Sequence, residues 1–196
     1  MFLIDKLHRY FEKEFNLSEL DSIKLKYSLE IIFSELSKLF ILFALFSILR
    51  KRTDFIYSFL ALFLIRTFTG GLHFKTYGKC LIFSGLFFYI SIFLKDFISL
   101  NFTIISILFI FSLFTIIIFD PITHESRPSY SYKKKKQFKI ISIILLSSHF
   151  LICFFADKSP YFINSIWVIT LQSIQLLIAK EVNIYEKKKI HFQKTI

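Results

Sequence analysis

The chain is poor in the residues that punctuate a fold. Its 196 residues include four glycines, three prolines, two cysteines, one methionine and one tryptophan. Two cysteines, Cys80 and Cys153, cannot build a disulfide framework, which excludes a small cystine-stapled fold. The five histidines and two cysteines show neither Cys-x-x-Cys nor His-x-x-x-His spacing, so neither a metal nor any other cofactor is expected. No signal peptide with a cleavage site is expected either, because the first thirty residues are charged and amphipathic. Acidic residues are also scarce: 14 Asp and Glu stand against 25 Lys and Arg, for a net charge of +11. Gathered on one domain, that excess would suggest a nucleic-acid partner. The basic residues instead fall in the connections between apolar runs, where the positive-inside rule puts them, so no nucleic-acid partner is expected.

What the chain has in abundance is apolar surface. It is 55% hydrophobic with 28 Phe, and its mean hydropathy is +0.59. A soluble domain of this length cannot hide that much. Several windows of about 18 residues are almost free of charge, long enough to cross a bilayer core. They are apolar all round, unlike the alternating segments of a transmembrane barrel. The class is therefore all-α, a polytopic transmembrane helical bundle. The Phe, Ile and Lys content also points to a biased coding composition, so part of the Phe carries no functional message.

One membrane-embedded domain over 1–196 accommodates six spans: 28–49, 55–65, 81–98, 102–119, 140–156 and 161–179. The first is interrupted by Glu30, Glu35 and Lys38, and the second is short, so a re-entrant pair is the alternative there. Residues 1–27 read as amphipathic and interfacial, with Phe2, Leu7, Tyr10, Phe11 and Phe15 at helical spacing among charges. A second short helix starts after Ser18, a good N-cap. A basic loop, 120–139, carries Pro121, Pro128 and Lys133 to Lys136, and a basic tail covers 180–196. Most Lys and Arg then lie on the side of the N-terminus, of 66–79, of 127–139 and of the tail. That places both termini and the 66–80 stretch in the cytoplasm, with Arg50-Lys51-Arg52 as the misfit. The lysine run fixes topology against anionic lipid.

Three of the four glycines fall in one stretch, Arg66-Thr67-Phe68-Thr69-Gly70-Gly71-Leu72-His73-Phe74-Lys75-Thr76-Tyr77-Gly78-Lys79-Cys80. A cysteine nucleophile needs a base, because a free thiol is only slightly ionised at neutral pH. His73 can supply it to Cys80, and Arg66, Lys75 and Lys79 make the surroundings electropositive, which favours thiolate. On a straight helix the seven-residue separation rises about 10.5 Å, too far for a hydrogen bond. The segment must therefore bend between His73 and Cys80, with Gly70, Gly71 and Gly78 as the residues that allow it. Cys80 then lies in the first turn of the next helix, where backbone N–H groups and the positive helix end favour a thiolate and an oxyanion. The bland alternative is a glycine-containing loop with an incidental His and Cys.

His149 and Cys153 are an internal competitor, four apart on one helix face. Phe150, Leu151, Ile152, Phe154 and Phe155 surround them, which marks Cys153 as a core residue. His8, His124 and His191 lie in polar segments and read as solvated.

The pattern Arg-x-x-x-Gly-Gly-x-His-x6-Cys between hydrophobic runs resembles the accessory gene regulator B (AgrB-like) family, membrane endopeptidases of Gram-positive quorum sensing. Its arginine, second glycine, histidine and cysteine fall on Arg66, Gly71, His73 and Cys80. Tyr27-Ser28-Leu29-Glu30 with Lys38 is similar to the family's first-span entry, although Ser28 stands where glycine is common. Asp120 to Pro128 resembles its proline-bracketed polar loop. The resemblance implies a cysteine endopeptidase that removes the C-terminal tail of an amphipathic, acidic-tailed (AgrD-like) precursor peptide through a Cys80 acyl-enzyme. The peptide's own nucleophile then closes a thiolactone or lactone ring. The resemblance also suggests a homodimer.

Glu30 and Lys38 share a helix face inside a span, and ionisable residues there are functional candidates. Their bland reading is a Glu30–Lys38 or Glu35–Lys38 pair that lowers burial cost. Arg66 either binds the acidic tail or positions a carboxylate, or simply caps its span. Two rival classes remain: a small peptide exporter or permease without proteolysis, using Glu30, Lys38 and His149, and a membrane acyltransferase carrying acyl groups on Cys80.

Overall fold

The computed structural model describes residues 2–72, 74, 76–122, 130–155 and 159–193. Seven helices account for most of them: α1 (Phe2–Phe15), α2 (Glu19–Ile48), α3 (Arg52–Thr69), α4 (Tyr77–Phe97), α5 (Phe102–Ile118), α6 (Tyr132–Phe155) and α7 (Pro160–Gln193). Among the described residues there is no strand, only an isolated backbone bridge between Gly70 and Ile122. The all-α membrane bundle expected from hydropathy is what the chain forms. Four helices, α2, α4, α6 and α7, are long and apolar enough to cross a bilayer. Helix α5 is apolar but only 17 residues long. Helix α3, at 18 residues, spans about 27 Å and carries Arg52, Asp54 and Arg66 near its ends.

The chain divides into two compact units, 1–52 and 53–196. In the first, α1 folds back on the start of α2. Asn16 makes the corner with a left-handed φ of 45°, and Ser18 caps α2 by accepting from the Asp21 N–H. His8 Nε2 lies 2.9 Å from Ser22 Oγ, which donates to Glu12 at 2.6 Å. His8 is thus half-buried and bonded rather than solvated, because the α1–α2 corner brings it against a buried serine. The short helix expected after Ser18 and the first span are one continuous helix, since neither Gly nor Pro interrupts 19–48. Lys38 is buried and pairs with Glu35 at 2.6 Å, while Glu30 is exposed.

In the second unit α7 is the central helix. Its apolar window is 67% buried, against 22% for α4 and 17% for α6. One face carries Asn164, Val168, Gln172, Gln175 and Ala179, all buried, at helical spacing. Helix α3 supplies a heptad-like seam of Phe55, Ser58, Leu62, Ile65 and Thr69. Ile65, Leu146, Phe150, Ile166 and Ile169 belong to one apolar core.

The start of α3, the end of α4 and the start of α7 meet in a polar knot. Asp54 Oδ1 accepts from Lys95 Nζ at 2.8 Å and from Asn164 Nδ2 at 2.7 Å. Both charged side chains are 13% exposed. Removing one member of such a pair leaves the other desolvated without compensation, at a cost of about 3 kcal/mol. Asp54→Ala should therefore lower unfolding stability in detergent by about that amount, as read by thermal denaturation. A variant as stable as the parent would reduce the knot to a surface ion pair.

Helix α6 begins at Tyr132, eight residues before the expected boundary of 140. Ser131 starts it, with the Lys135 N–H bonded to its carbonyl and the Lys134 N–H reaching its hydroxyl. Lys133 to Lys136 are therefore helical, and hydropathy missed them because it reads only apolarity.

Candidate active site

Helix α3 ends where Gly70 takes a φ of +73°, the left-handed region that glycine enters without steric cost. The Gly70 N–H still closes the helix onto Arg66 O at 2.9 Å. Beside it the chain after α5 comes alongside, with the Ile122 N–H donating to Thr69 O at 2.9 Å. A Cβ on Gly70 would fall 1.9 Å from the Ile122 carbonyl oxygen. The Gln172 carboxamide reaches the same turn from α7, donating to Gly70 O at 2.8 Å and to Thr69 Oγ1 at 3.2 Å.

The chain then doubles back. Arg66 Nη2 donates to Leu72 O at 2.8 Å, and its guanidinium lies over Gly71, 3.2 Å from where a Cβ would stand. Phe74 packs its ring on Phe83 of α4, with centroids 5.1 Å apart. Thr76 is the N-cap of α4, although its side chain makes no capping hydrogen bond. Cys80 lies in the first turn, its N–H bonded to Thr76 O at 3.2 Å, and the thiol is half-buried.

The helix break anticipated between His73 and Cys80 is present, but Gly78 does not make it. Gly78 sits inside the first turn of α4, and a Cβ there would meet nothing within 4 Å. The sharp turn belongs to Gly70. His73 and Lys75 lie outside the described residues. The residues that flank His73 are tied down: Leu72 by Arg66, and Phe74 by Phe83, which is one turn beyond Cys80 on the same helix. Arg66 is turned onto the loop's own backbone.

Asp120, just after α5, pairs with Lys139 of α6 at 2.9 Å. The hydrogen bond from Lys139 holds the Asp120 carboxyl below the usual carboxylate range, against the opposing effect of burial, with Lys135 and Lys180 adding attraction. The tie is therefore complete above the ordinary aspartate range and lost as pH falls through the lowered value. It anchors the Pro121–Ile122 segment that Gly70 touches. His124 and the remainder of 123–129 lie outside the described residues, and the side chain of His191 is likewise not described.

The competitor pair is in contact. Cys153 Sγ stands 3.6 Å from His149 Nε2, which also lies 2.8 Å from Ser165 Oγ. Ser165 Oγ also lies 2.7 Å from Phe162 O. The trio ties α6 to α7 at the Asn164 end of the unit, across the bundle from Cys80.

Sequence reasoning passed over Asp54, Asn164 and Gln172. The available signal was the recurrence of Asn and Gln on one face of an otherwise apolar span, which is unusual inside a membrane. Among the described residues no group of three His, Cys, Asp or Glu could hold a metal.

The family model described as accessory gene regulator B matches residues 4–176. A Clostridium beijerinckii protein described as AgrB-like is 36% identical over 180 residues, covering 90% of this chain and 88% of its own. An accessory gene regulator protein B of Staphylococcus haemolyticus is 25% identical over 174 residues, covering 89% and 92%. No solved structure matches the chain.

Proposed function

The chain belongs to the accessory gene regulator B family of quorum-sensing membrane proteins, and from that premise we propose that it is a cysteine endopeptidase with Cys80 as nucleophile and His73 as base. The observation that carries this reading is the placement of Cys80 in the first turn of α4, with Phe74, the neighbour of His73, anchored one turn away on Phe83.

The chemistry follows from that placement. His73 takes the thiol proton, and the Cys80 thiolate attacks the carbonyl of the scissile bond. Backbone N–H groups at the start of α4 hold the oxyanion. The open space over Gly78 gives a substrate backbone room to approach them. The amine of the tail leaves with the proton from His73, and an acyl-enzyme remains on Cys80. The precursor's own thiol or hydroxyl then attacks the thioester, so a thiolactone forms with little change in acyl activation. Breaking an amide to make a thioester is uphill, so removal of the tail drives the sequence. A membrane-embedded site limits water, which would otherwise hydrolyse the intermediate. An amphipathic, acidic-tailed precursor is concentrated at the same interface, and the basic start of α6 attracts such a tail and anionic lipid alike. Glu30 and Lys38 are kept as supporting residues, Arg66, Gly70 and Gly71 as positioning residues. A cytoplasmic site with both termini inside, and a homodimer, complete the proposal.

The test is direct. Purified protein in liposomes is mixed with a candidate amphipathic, acidic-tailed precursor peptide, and intact mass is recorded. A Cys80 adduct equal to the precursor without its tail is expected within the first turnover. Tail release with no adduct at any time would reject acyl transfer, and absence of both would favour an exporter.

A further inference from the structure

We infer that Gln172 is a positioning residue for the site, fixing the Gly70 turn from which the His73 loop departs; this rests on the reading of His73 and Cys80 given above. Gln172 lies in the buried middle of α7 and is 1% exposed. Both hydrogens of its Nε2 are spent on one turn, at Gly70 O and Thr69 Oγ1. Thr69 Oγ1 donates in turn to Ile65 O at 3.1 Å, which leaves it free to accept from Gln172. Gly70 is therefore held on two sides, by the Ile122 backbone and by the Gln172 side chain. Neither contact is local: 102 residues separate Gln172 from Gly70.

The Oε1 of the same carboxamide is buried and has no hydrogen-bond partner among the described residues. In an apolar span an orphaned carbonyl is a cost that a Leu or Met would avoid. The span keeps the amide for its donors, which among the described residues reach the groups of the turn. Gln175, one turn further on the same face, is the natural control. It is 2% exposed, and neither its Nε2 nor its Oε1 has a partner among the described residues. Replacing it removes as much buried polarity without touching the turn.

The test uses the full chain in liposomes with Cys153→Ala, so that iodoacetamide reports on Cys80 alone. Gln172→Met should speed amide exchange over 69–76 at least about tenfold, with the spans unchanged. It should also slow Cys80 alkylation at pH 7 to the level of His73→Ala. Gln175→Met should leave both readouts at parent values. Gln172→Glu, whose protonated form keeps one O–H donor for Gly70, should fall between; it carries the test if the Met variant does not fold. Parent-like exchange in the Gln172 variants, or equal loosening in Gln175→Met, overturns the assignment. If His73→Ala itself leaves the alkylation rate at pH 7 unchanged, the base role of His73 falls, and Gln172 is judged on exchange alone.

Discussion

Cys80→Ala should abolish precursor cleavage, by no less than about four orders of magnitude, because removing the nucleophile of a catalytic unit removes most of what the unit does. Cys153→Ala should cleave at the parent rate. The contrast matters because the described geometry brings the other pair into contact. Cys153 has an imidazole nitrogen at 3.6 Å. That pair sits beside Phe150, Leu151 and Ile152 in an apolar stretch of α6. Cys80 instead lies at a helix N-terminus, in the electropositive company of Lys79, with a half-buried thiol. Both variants would be assayed by tail release and by intact mass. Full cleavage by Cys80→Ala would end the peptidase reading; loss of activity in a folded Cys153→Ala would transfer it to the other end of the bundle.

How much of this was legible in the sequence depends on the range of the interaction concerned. Apolar windows locate the helices of the bundle, four of them long and apolar enough to cross a bilayer, because the need to satisfy every backbone group inside the helix acts locally. The helix break before Cys80 is legible too, from the adjacent Gly70 and Gly71. Span boundaries are less so. Lys133 to Lys136 read as loop, yet Ser131 caps a helix that contains them. The contact of His149 with Cys153 follows from four-residue spacing, while its contact with Ser165 does not, because Ser165 lies on another helix. Gly70 and Gly71 look equivalent in sequence. What separates them is Ile122 and Gln172, both far along the chain, and no local pattern announces either. For the same reason no local pattern announces that Arg66 Nη2 donates to the carbonyl of Leu72.

The distinction between the glycines has a measurable consequence. Gly70→Ala should cost about 3 kcal/mol of stability and lower cleavage by at least tenfold. A left-handed backbone costs an alanine about 1 to 2 kcal/mol. The new Cβ would also stand 1.9 Å from a backbone oxygen of Ile122, so the two segments must part. Parting them breaks the Ile122 N–H bond to Thr69 and strains the Gln172 bond to Gly70, each worth about 1 kcal/mol. Gly71→Ala meets only the Arg66 side chain, at 3.2 Å, and a flexible guanidinium can give way. Gly78→Ala meets nothing and replaces a helical glycine with a better helix former, so it should match or slightly exceed the parent in stability. Thermal unfolding in detergent, paired with Cys80 alkylation, ranks the three. The order expected is Gly70 far below Gly71, and Gly71 below Gly78. A Gly70→Ala variant that unfolds and alkylates like the parent would mean that the left-handed turn and its bridge to Ile122 do not shape the site. The loop would then have to be held by Arg66 and Phe74 alone.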